Sequence, residues 1–290
     1  MNRRRPDPLP QIFPVPEYLA VGRMEQWYAE VKEAMQVPWM GVVTMAYAHY
    51  PSFFEVLWAG TQPLVRSRPF VEAAQSLRRL AEAETAKLLR PRPIAARLAH
   101  IGYAEREIAQ IRAMVEIFAH GNFPYLLLAT VVRMLLEGGE MSSRVEAEPY
   151  AGRHAPAVDV PLVLMEAHHA ETGTRAVYGD VRATLGLPFV NTDYRAFARW
   201  PSYFALAWSD LKPVVSTPEY EAICDVIHRR AVDAVTRELP NPGHLQGGRL
   251  RAAAERDCTL DEVLQVSRLF QWLLPGLVAN VAFLRAQLDA

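Results

Sequence analysis

The sequence predicts an all-α protein made of two similar, pseudo-symmetric helical halves that pack together. Three observations support this fold class. The chain matches itself at an offset of 150 residues. Apolar residues recur at helical spacing through both halves, and the alternating patterns of half-buried strands are scarce. Its 290 residues also agree with about two domains as a first expectation from length.

The self-match needs no gap between residues 37–65 and residues 187–215. A chance alignment would rarely pair three prolines and a tryptophan, so the match indicates an internal duplication. Weaker similarity extends the two halves to residues 1–145 and 146–290, joined by a Gly-, Ser-, Glu- and Pro-rich linker at 138–161. The identical pairs are Pro38 and Pro188, Ala46 and Ala196, Ala48 and Ala198, Pro51-Ser52 and Pro201-Ser202, Phe54 and Phe204, Trp58 and Trp208, Pro63 and Pro213, and Val65 and Val215.

Helical periodicity predicts the individual elements in order along the chain. Met24, Trp27, Tyr28, Val31 and Met35 form the apolar stripe of a first amphipathic helix. Segments of the second half repeat this pattern, and a threonine followed by early acidic residues marks the start of the last helix. The other first-half helices are expected at 52–59, 69–89, 108–118 and 125–136.

Composition argues against several classes of partner and location. The 31 Lys and Arg nearly balance the 32 Asp and Glu, so no basic surface for nucleic acid or anionic membrane is expected. No apolar signal segment is apparent, and neither of the two most apolar windows, 123–132 and 269–284, is expected to cross a bilayer. Two cysteines without a CxxC spacing fit a reducing compartment, so a cytoplasmic location is predicted.

Metal and nucleotide chemistry find little support in the motifs. Glu166–His169 and Asp225–His228 are a loose match to a helical di-metal pattern, and the adjacent His168 and His169 fit an exposed polar surface better. No HExxH, GxSxG, P-loop or GxGxxG occurs. Gly138-Gly139 and Gly247-Gly248 are expected to be ordinary turns.

The informative signal comes from positions where the two copies differ. Gly41, Val42 and Val43 in the first copy are matched by Asn191, Thr192 and Asp193 in the second. If matched segments face each other about a pseudo-two-fold axis, a polar lip opposes an apolar wall of Trp39, Gly41 and Val42. A pocket with an apolar wall and one carboxylate suits a general base.

Two interpretations of this polar segment remain open and are compatible with each other. Asn, Thr and Asp are preferred helix N-caps, and 194–199 could be the helix that they cap. The free backbone N–H groups of residues 192–194, which include that of Tyr194, would then favour an anionic substrate. Asn122 could supply a carboxamide to the pocket, or it could be a simple turn or cap residue.

At these residues the sequence resembles the DehI-type (group I) 2-haloacid dehalogenases, a family of duplicated all-α hydrolases. The resemblance covers most of the chain, and its segments keep their order and approximate spacing. They are Val37-Pro38-Trp39, Gly121-Asn122 with Tyr125-Leu126-Leu127-Leu128, and Thr192-Asp193 with Ala196 and Trp200-Pro201.

The resemblance implies hydrolysis of a carbon–halogen bond in a short 2-halo acid, with water as co-substrate and without metal or organic cofactor. By position, Asp193 matches the base that activates water and Asn122 the residue that holds this water. Trp39, Val42 and Thr192 match pocket-lining positions, and Asn191 matches a position at which asparagine accompanies a preference for D-substrates. Attack on the α-carbon then inverts its configuration without an ester intermediate.

Two alternatives belong to other classes. A helical carboxylate-binding or assembly module with the same fold would lack the chemistry. A peroxidase related to the carboxymuconolactone decarboxylases would need a CxxC that the sequence lacks. A homodimer is the default expectation for assembly.

Overall fold

The computed structural model describes residues 1–142 and 145–289, and within them it is helical, with no strand. An isolated bridge pairs Ser67 with Pro149. The α-helices are α1 (Arg23–Met35), α2 (Val42–Tyr47), α3 (Pro51–Val65), α4 (Arg68–Leu89), α5 (Ala95–His100), α6 (Glu105–Leu136), α7 (Thr172–Leu185), α8 (Thr192–Phe197), α9 (Pro201–Leu211), α10 (Pro218–Asp233), α11 (Gly247–Asp257) and α12 (Leu260–Asp289). The all-α prediction is therefore confirmed. Ser143 and Arg144 of the predicted linker lie outside the described residues.

Helix α6 corrects the prediction of two separate helices at 108–118 and 125–136. It continues through Pro124, although proline lacks the N–H of a helical hydrogen bond. The residues on both sides of the proline, Phe123 and Tyr125, are buried, so packing on all faces holds the helix together. Gly247-Gly248 is also corrected, since it begins α11 rather than forming a plain turn.

The structure contains two compact units, each assembled from three segments. The first contains Met1–Arg79, Gly121–Ala155 and Asp225–Leu277, and the second contains Leu80–His120, Pro156–Cys224 and Val278–Ala290. Each unit contains residues from both predicted sequence halves. The two divisions differ because compact units are defined by contacts in space, whereas the halves are defined by similarity of sequence. The halves 1–145 and 146–290 stay a prediction.

In the first unit, three hydrogen bonds tie the segment before α1 and the helices α1–α3 together. The Tyr28 hydroxyl donates to the Val15 carbonyl oxygen at 2.8 Å. The Trp58 indole N–H donates to the Glu30 carboxylate at 2.7 Å. The Val15 N–H donates to the Met45 carbonyl oxygen at 3.0 Å. These bonds fix the backbone that leads into α2.

In the second unit, the same three kinds of bond occur 150 residues later. The Tyr178 hydroxyl donates to the Met165 carbonyl oxygen at 2.7 Å. The Trp208 indole N–H donates to the Asp180 carboxylate at 2.8 Å. The Met165 N–H donates to the Arg195 carbonyl oxygen at 2.9 Å, so the backbone around α8 is held in the same manner as that around α2.

Within the described part of the chain, two helices, α6 and α12, are long and apolar enough to span a membrane by length and composition. Their most apolar windows are nevertheless 89% and 78% buried inside the protein, as expected of core helices. Neither Cys224 nor Cys258 forms a disulfide bond within the described residues. His168 and His169 lie in an exposed turn before α7 rather than on a helix.

Candidate functional site

The predicted polar segment forms the start of α8, which begins at Thr192 and ends at Phe197. The helix therefore begins two residues earlier than the predicted helix 194–199. Asn191 occupies the N-cap position, but its side chain makes no capping hydrogen bond. Its Oδ1 atom is buried and has no hydrogen-bond partner among the described residues. The capping interpretation is thus correct for the backbone and wrong for the side chain.

Asp193 lies in the first turn of α8 and is 1% exposed. Burial of a carboxylate is costly unless other groups compensate it, so acids are seldom buried without a structural or chemical reason. Asn191 and Thr192, at 5% and 7%, are buried beside it in the sequence. The comparison of the two matching sequence segments predicts this run of three polar residues as the polar lip of a pocket, and the structure shows that all three are buried.

Arg195 links α8 to the segment that precedes α7. Its Nη1 atom forms an ion pair with the Glu166 carboxylate at 2.6 Å, and its Nη2 atom donates to Thr192 Oγ1 at 3.4 Å. Glu166 is therefore engaged in an ion pair, which argues against the loose metal pattern with His169. Among the described residues, no three His, Cys, Asp or Glu side chains are grouped as metal ligands.

Tyr194, predicted as a substrate-binding residue, is 2% exposed. Its ring lies 6.1 Å from that of Phe204 and 6.0 Å from that of Trp208, centroid to centroid. Its hydroxyl oxygen accepts a hydrogen bond of 2.8 Å from Asn280 Nδ2. Burial raises the pKa of Tyr194 well above its usual value; the Asn280 hydrogen bond lowers it, and the Asp193 charge raises it further. The phenol therefore stays protonated.

The predicted apolar wall lies in the first unit, where Trp39 is 3% exposed. The Tyr125 hydroxyl donates to the Trp39 carbonyl oxygen at 2.6 Å. A Cβ atom on Gly41 would lie 2.9 Å from the Tyr125 ring, so the close approach requires glycine there. Gly41 is the N-cap of α2, and Val42, the first residue of that helix, is half-buried.

Asn122 lies inside α6 and is 4% exposed, so the interpretation as a turn or cap residue is wrong. It follows Gly121, whose absent side chain leaves room for the Trp39 indole. A Cβ atom on Gly121 would lie 2.3 Å from Trp39 Cη2. The same helix thus carries Asn122, Gly121 against the indole, and Tyr125.

The structure brings the predicted residues together in two sets, one in each unit. Trp39, Gly41 and Val42 lie on or before α2, and Gly41 approaches Tyr125 of α6. Residues 191–194 form the start of α8. Sequence reasoning missed Tyr125 and Asn280 as polar links to these sets. The available signal for Asn280 is its place as an amide in an otherwise apolar run.

Among known proteins, the chain is 47% identical to an (R)-2-haloacid dehalogenase from Rhizobium sp. (strain NHG3) over 247 residues, which cover 85% of this chain and 95% of that protein. It is 37% identical to an (R)-2-haloacid dehalogenase from Pseudomonas putida, over 95% of this chain and 92% of that protein. A configuration-inverting 2-haloacid dehalogenase from Alcaligenes xylosoxydans xylosoxydans is 29% identical, over 83% of this chain and 82% of its own length. No family model matches the chain.

Solved structures agree with the sequence relatives. A D-2-haloacid dehalogenase mutant superposes with a TM-score of 0.90 at 35% identity, and the match covers 99% of both chains. A complex of such a mutant with D-2-CPA gives a TM-score of 0.89 at 34% identity over 98% of both chains. A D-2-haloacid dehalogenase in complex with L-LA gives 0.90 at 35%, over 99% of this chain and all of the other. The chain therefore belongs to the 2-haloacid dehalogenase family, the enzymes that hydrolyse the carbon–halogen bond of 2-halo acids.

Proposed function

We propose that the protein hydrolyses short 2-haloalkanoic acids of the D configuration to the corresponding 2-hydroxy acids of opposite configuration. The observation that carries this proposal is 47% identity to an (R)-2-haloacid dehalogenase over 85% of the sequence. Two structural relatives add chemical detail, because one was solved with D-2-CPA and another with L-LA, acids of opposite hand. An inverting displacement of chloride from a D-2-chloropropionate substrate gives a product of the opposite, L configuration.

In the proposed mechanism Asp193 is the general base. Its carboxylate takes a proton from water, and the water oxygen attacks the α-carbon from the side opposite the halogen. The carbon–oxygen bond forms as the carbon–halogen bond breaks, and the halide leaves with the bonding electron pair. Orientation of a reactant can remove about 7–11 kcal/mol of barrier, and a buried base such as Asp193 is well suited to hold water in one orientation.

The other predicted residues keep the roles that the family resemblance, the comparison of the two halves or the predicted helix start gives them. Asn122 orients the water, and Trp39, Gly41 and Val42 provide the apolar wall for the substrate. Asn191, Thr192 and Tyr194 provide polar contacts, with Asn191 selecting the D-enantiomer. Burial supports these roles, since Asn122 and Asn191 are polar amide side chains with at most 5% exposure.

The direct test is chloride release measured separately from D- and L-2-chloropropionate. We expect turnover of the D-acid, formation of L-lactate, and little or no turnover of the L-acid. The non-catalytic alternative predicts a different result, in which 2-halo acids raise the melting temperature but no chloride appears. That result would overturn the proposed function.

We also infer that the protein arose by internal duplication with a period of 150 residues. The support comes from the three hydrogen bonds of Tyr28, Trp58 and Val15, each of which has a counterpart at the matched position. Such side-chain links are set by individual residues rather than by the all-α class. A cytoplasmic location and a homodimer are proposed on the sequence grounds given above.

A further inference from the structure

Asn280 is a polar residue in the buried, apolar part of α12. It is 2% exposed, and its neighbours Val278, Ala279, Val281 and Ala282 are all buried. A buried amide destabilises the fold unless its hydrogen-bonding groups find partners. Its Nδ2 atom donates to Tyr194 Oη at 2.8 Å, and its Oδ1 atom has no partner among the described residues. An apolar residue would fit this helix face better, so the amide indicates a specific role.

The direction of the Asn280–Tyr194 bond determines what the phenol can do. Because Tyr194 Oη is the acceptor, its own hydrogen takes no part in this bond and can be donated elsewhere. A hydrogen bond received at the oxygen also polarises the O–H bond and strengthens it as a donor. Asn280 thereby sets both the orientation and the donor strength of the phenol.

The phenol lies within electrostatic range of the proposed base, because the charge of Asp193 raises the pKa of Tyr194. Tyr194 directly follows Asp193 in α8, and its ring packs against the rings of Phe204 and Trp208. This side chain therefore has little freedom other than rotation of its hydroxyl hydrogen. The bond donated by Asn280 occupies one side of the phenol oxygen and so restricts the directions in which that hydrogen can point.

We propose that Asn280 is a positioning residue for dehalogenation, which holds the Tyr194 hydroxyl so that its hydrogen is donated to the anionic 2-halo acid. This inference rests on the proposed function, because it assumes the substrate and the base. It adds a residue from α12 that the family resemblance did not assign.

The test is a double-mutant cycle on kcat/KM for D-2-chloropropionate with Asn280→Leu, Tyr194→Phe and the double variant. Each single variant should lose about tenfold, the size of one positioned hydrogen bond. The double variant should lose no more than either single one, because both remove the same interaction. Additive losses would overturn the proposal.

Gln287→Leu is the matched control. Gln287 lies on the same helix, is fully buried, and donates from Nε2 to the Asp210 carboxylate at 2.8 Å. Its Oε1 atom, like Asn280 Oδ1, has no partner among the described residues. The control should lose stability to a similar extent but keep kcat/KM within about twofold of wild type. An equal loss of kcat/KM in Gln287→Leu would attribute the Asn280 effect to general destabilisation.

Asn280→Asp distinguishes positioning from packing. The substitution keeps the shape but replaces the amide donor with an acceptor, which would take the phenol hydrogen. A purely structural role predicts retained activity, whereas positioning predicts a loss in kcat/KM at least as large as in Asn280→Leu. If Asn280→Asp fails to fold, the cycle above decides alone. If the wild-type protein releases no chloride, the proposed function and the role of Asn280 are both refuted. If the wild type is active and the Asn280→Leu variant keeps the same kcat/KM, only the role of Asn280 is refuted.

Discussion

Gly121→Ala tests the packing of the proposed apolar wall. Gly121 precedes Asn122 in α6, and a Cβ atom added there would lie 2.3 Å from Trp39 Cη2 and 2.8 Å from Val37 Cγ1. Carbon atoms prefer separations of about 3.5–4.0 Å, so the indole must move by more than about 1 Å. Trp39 is 3% exposed and its carbonyl oxygen holds Tyr125, which leaves little room for that movement.

The expected free energies can be compared directly. Overpacking of a buried site costs about 1–3 kcal/mol, and replacement of glycine by alanine inside a helix returns about 1 kcal/mol. The net loss of stability should therefore be about 0–2 kcal/mol. A displacement of about 1 Å in a residue that positions substrate can nevertheless lower the rate by about a hundredfold. Gly121→Ala should consequently lose much more activity than stability.

The assay combines urea unfolding with kcat/KM for D-2-chloropropionate. Gly179→Ala is the matched control, because Gly179 lies inside α7 and an added Cβ atom would meet nothing within 4 Å. We expect this control to be more stable than wild type by about 0.5–1 kcal/mol and fully active. If Gly121→Ala keeps wild-type kcat/KM, Trp39 does not shape the substrate pocket as proposed.

Three further predictions concern the reaction, and a fourth concerns the pH range of stability. Asp193→Asn should abolish chloride release while the melting temperature changes little, and activity near wild type would exclude Asp193 as the base. In a single turnover in ¹⁸O-labelled water, direct attack places the label in the product at once; label that appears only in later turnovers would indicate an ester on the enzyme. Asn191→Ala should admit the L-enantiomer, and an unchanged chiral preference would contradict its selecting role. Burial lowers the pKa of His228 in the folded protein. Its contribution to the free energy of unfolding should therefore be complete above the ordinary histidine pKa of about 6.5 and decline as the pH falls below that value. In urea unfolding at a series of pH values, His228→Asn should show a smaller decline.

Much of the helical architecture followed from periodicity, and the errors have a common cause. The stripe from Met24 to Met35 predicts α1 within one residue, because one face of that helix is buried and the other exposed. The predicted interruption of α6 at Pro124 failed because this part of the helix is buried on every side. Where all faces are apolar, periodicity carries no information, and proline alone does not decide where a helix ends.

Part of the candidate site could be predicted from the sequence because the two matching segments serve as references for each other. The change from Gly41-Val42-Val43 to Asn191-Thr192-Asp193 identified a polar segment that the structure buries. A single copy would have shown only a plausible N-cap. The exposure of these three side chains distinguishes a surface N-cap from a buried polar segment. That exposure depends on packing against elements that are distant in the sequence.

The missed residues show the limit of that comparison. In the first unit, Tyr125 on the long helix α6 donates a hydrogen bond to Trp39, which precedes α2. In the second unit, Asn280 on the long helix α12 donates to Tyr194 on α8. Each bond joins residues that are 86 positions apart. The tyrosine belongs to the long helix in one unit and to the short helix in the other. The positions that match Tyr125, Asn280 and Tyr194 are Gly276, Ala129 and Thr44. Glycine and alanine have no polar side chain, so neither of the two bonds can be repeated at the matched positions. A position-by-position comparison therefore detects a changed residue. It does not detect a hydrogen bond between the long and the short helix whose tyrosine lies on the long helix in one unit and on the short helix in the other. Such bonds are found only from the buried hydrogen bonds of the structure.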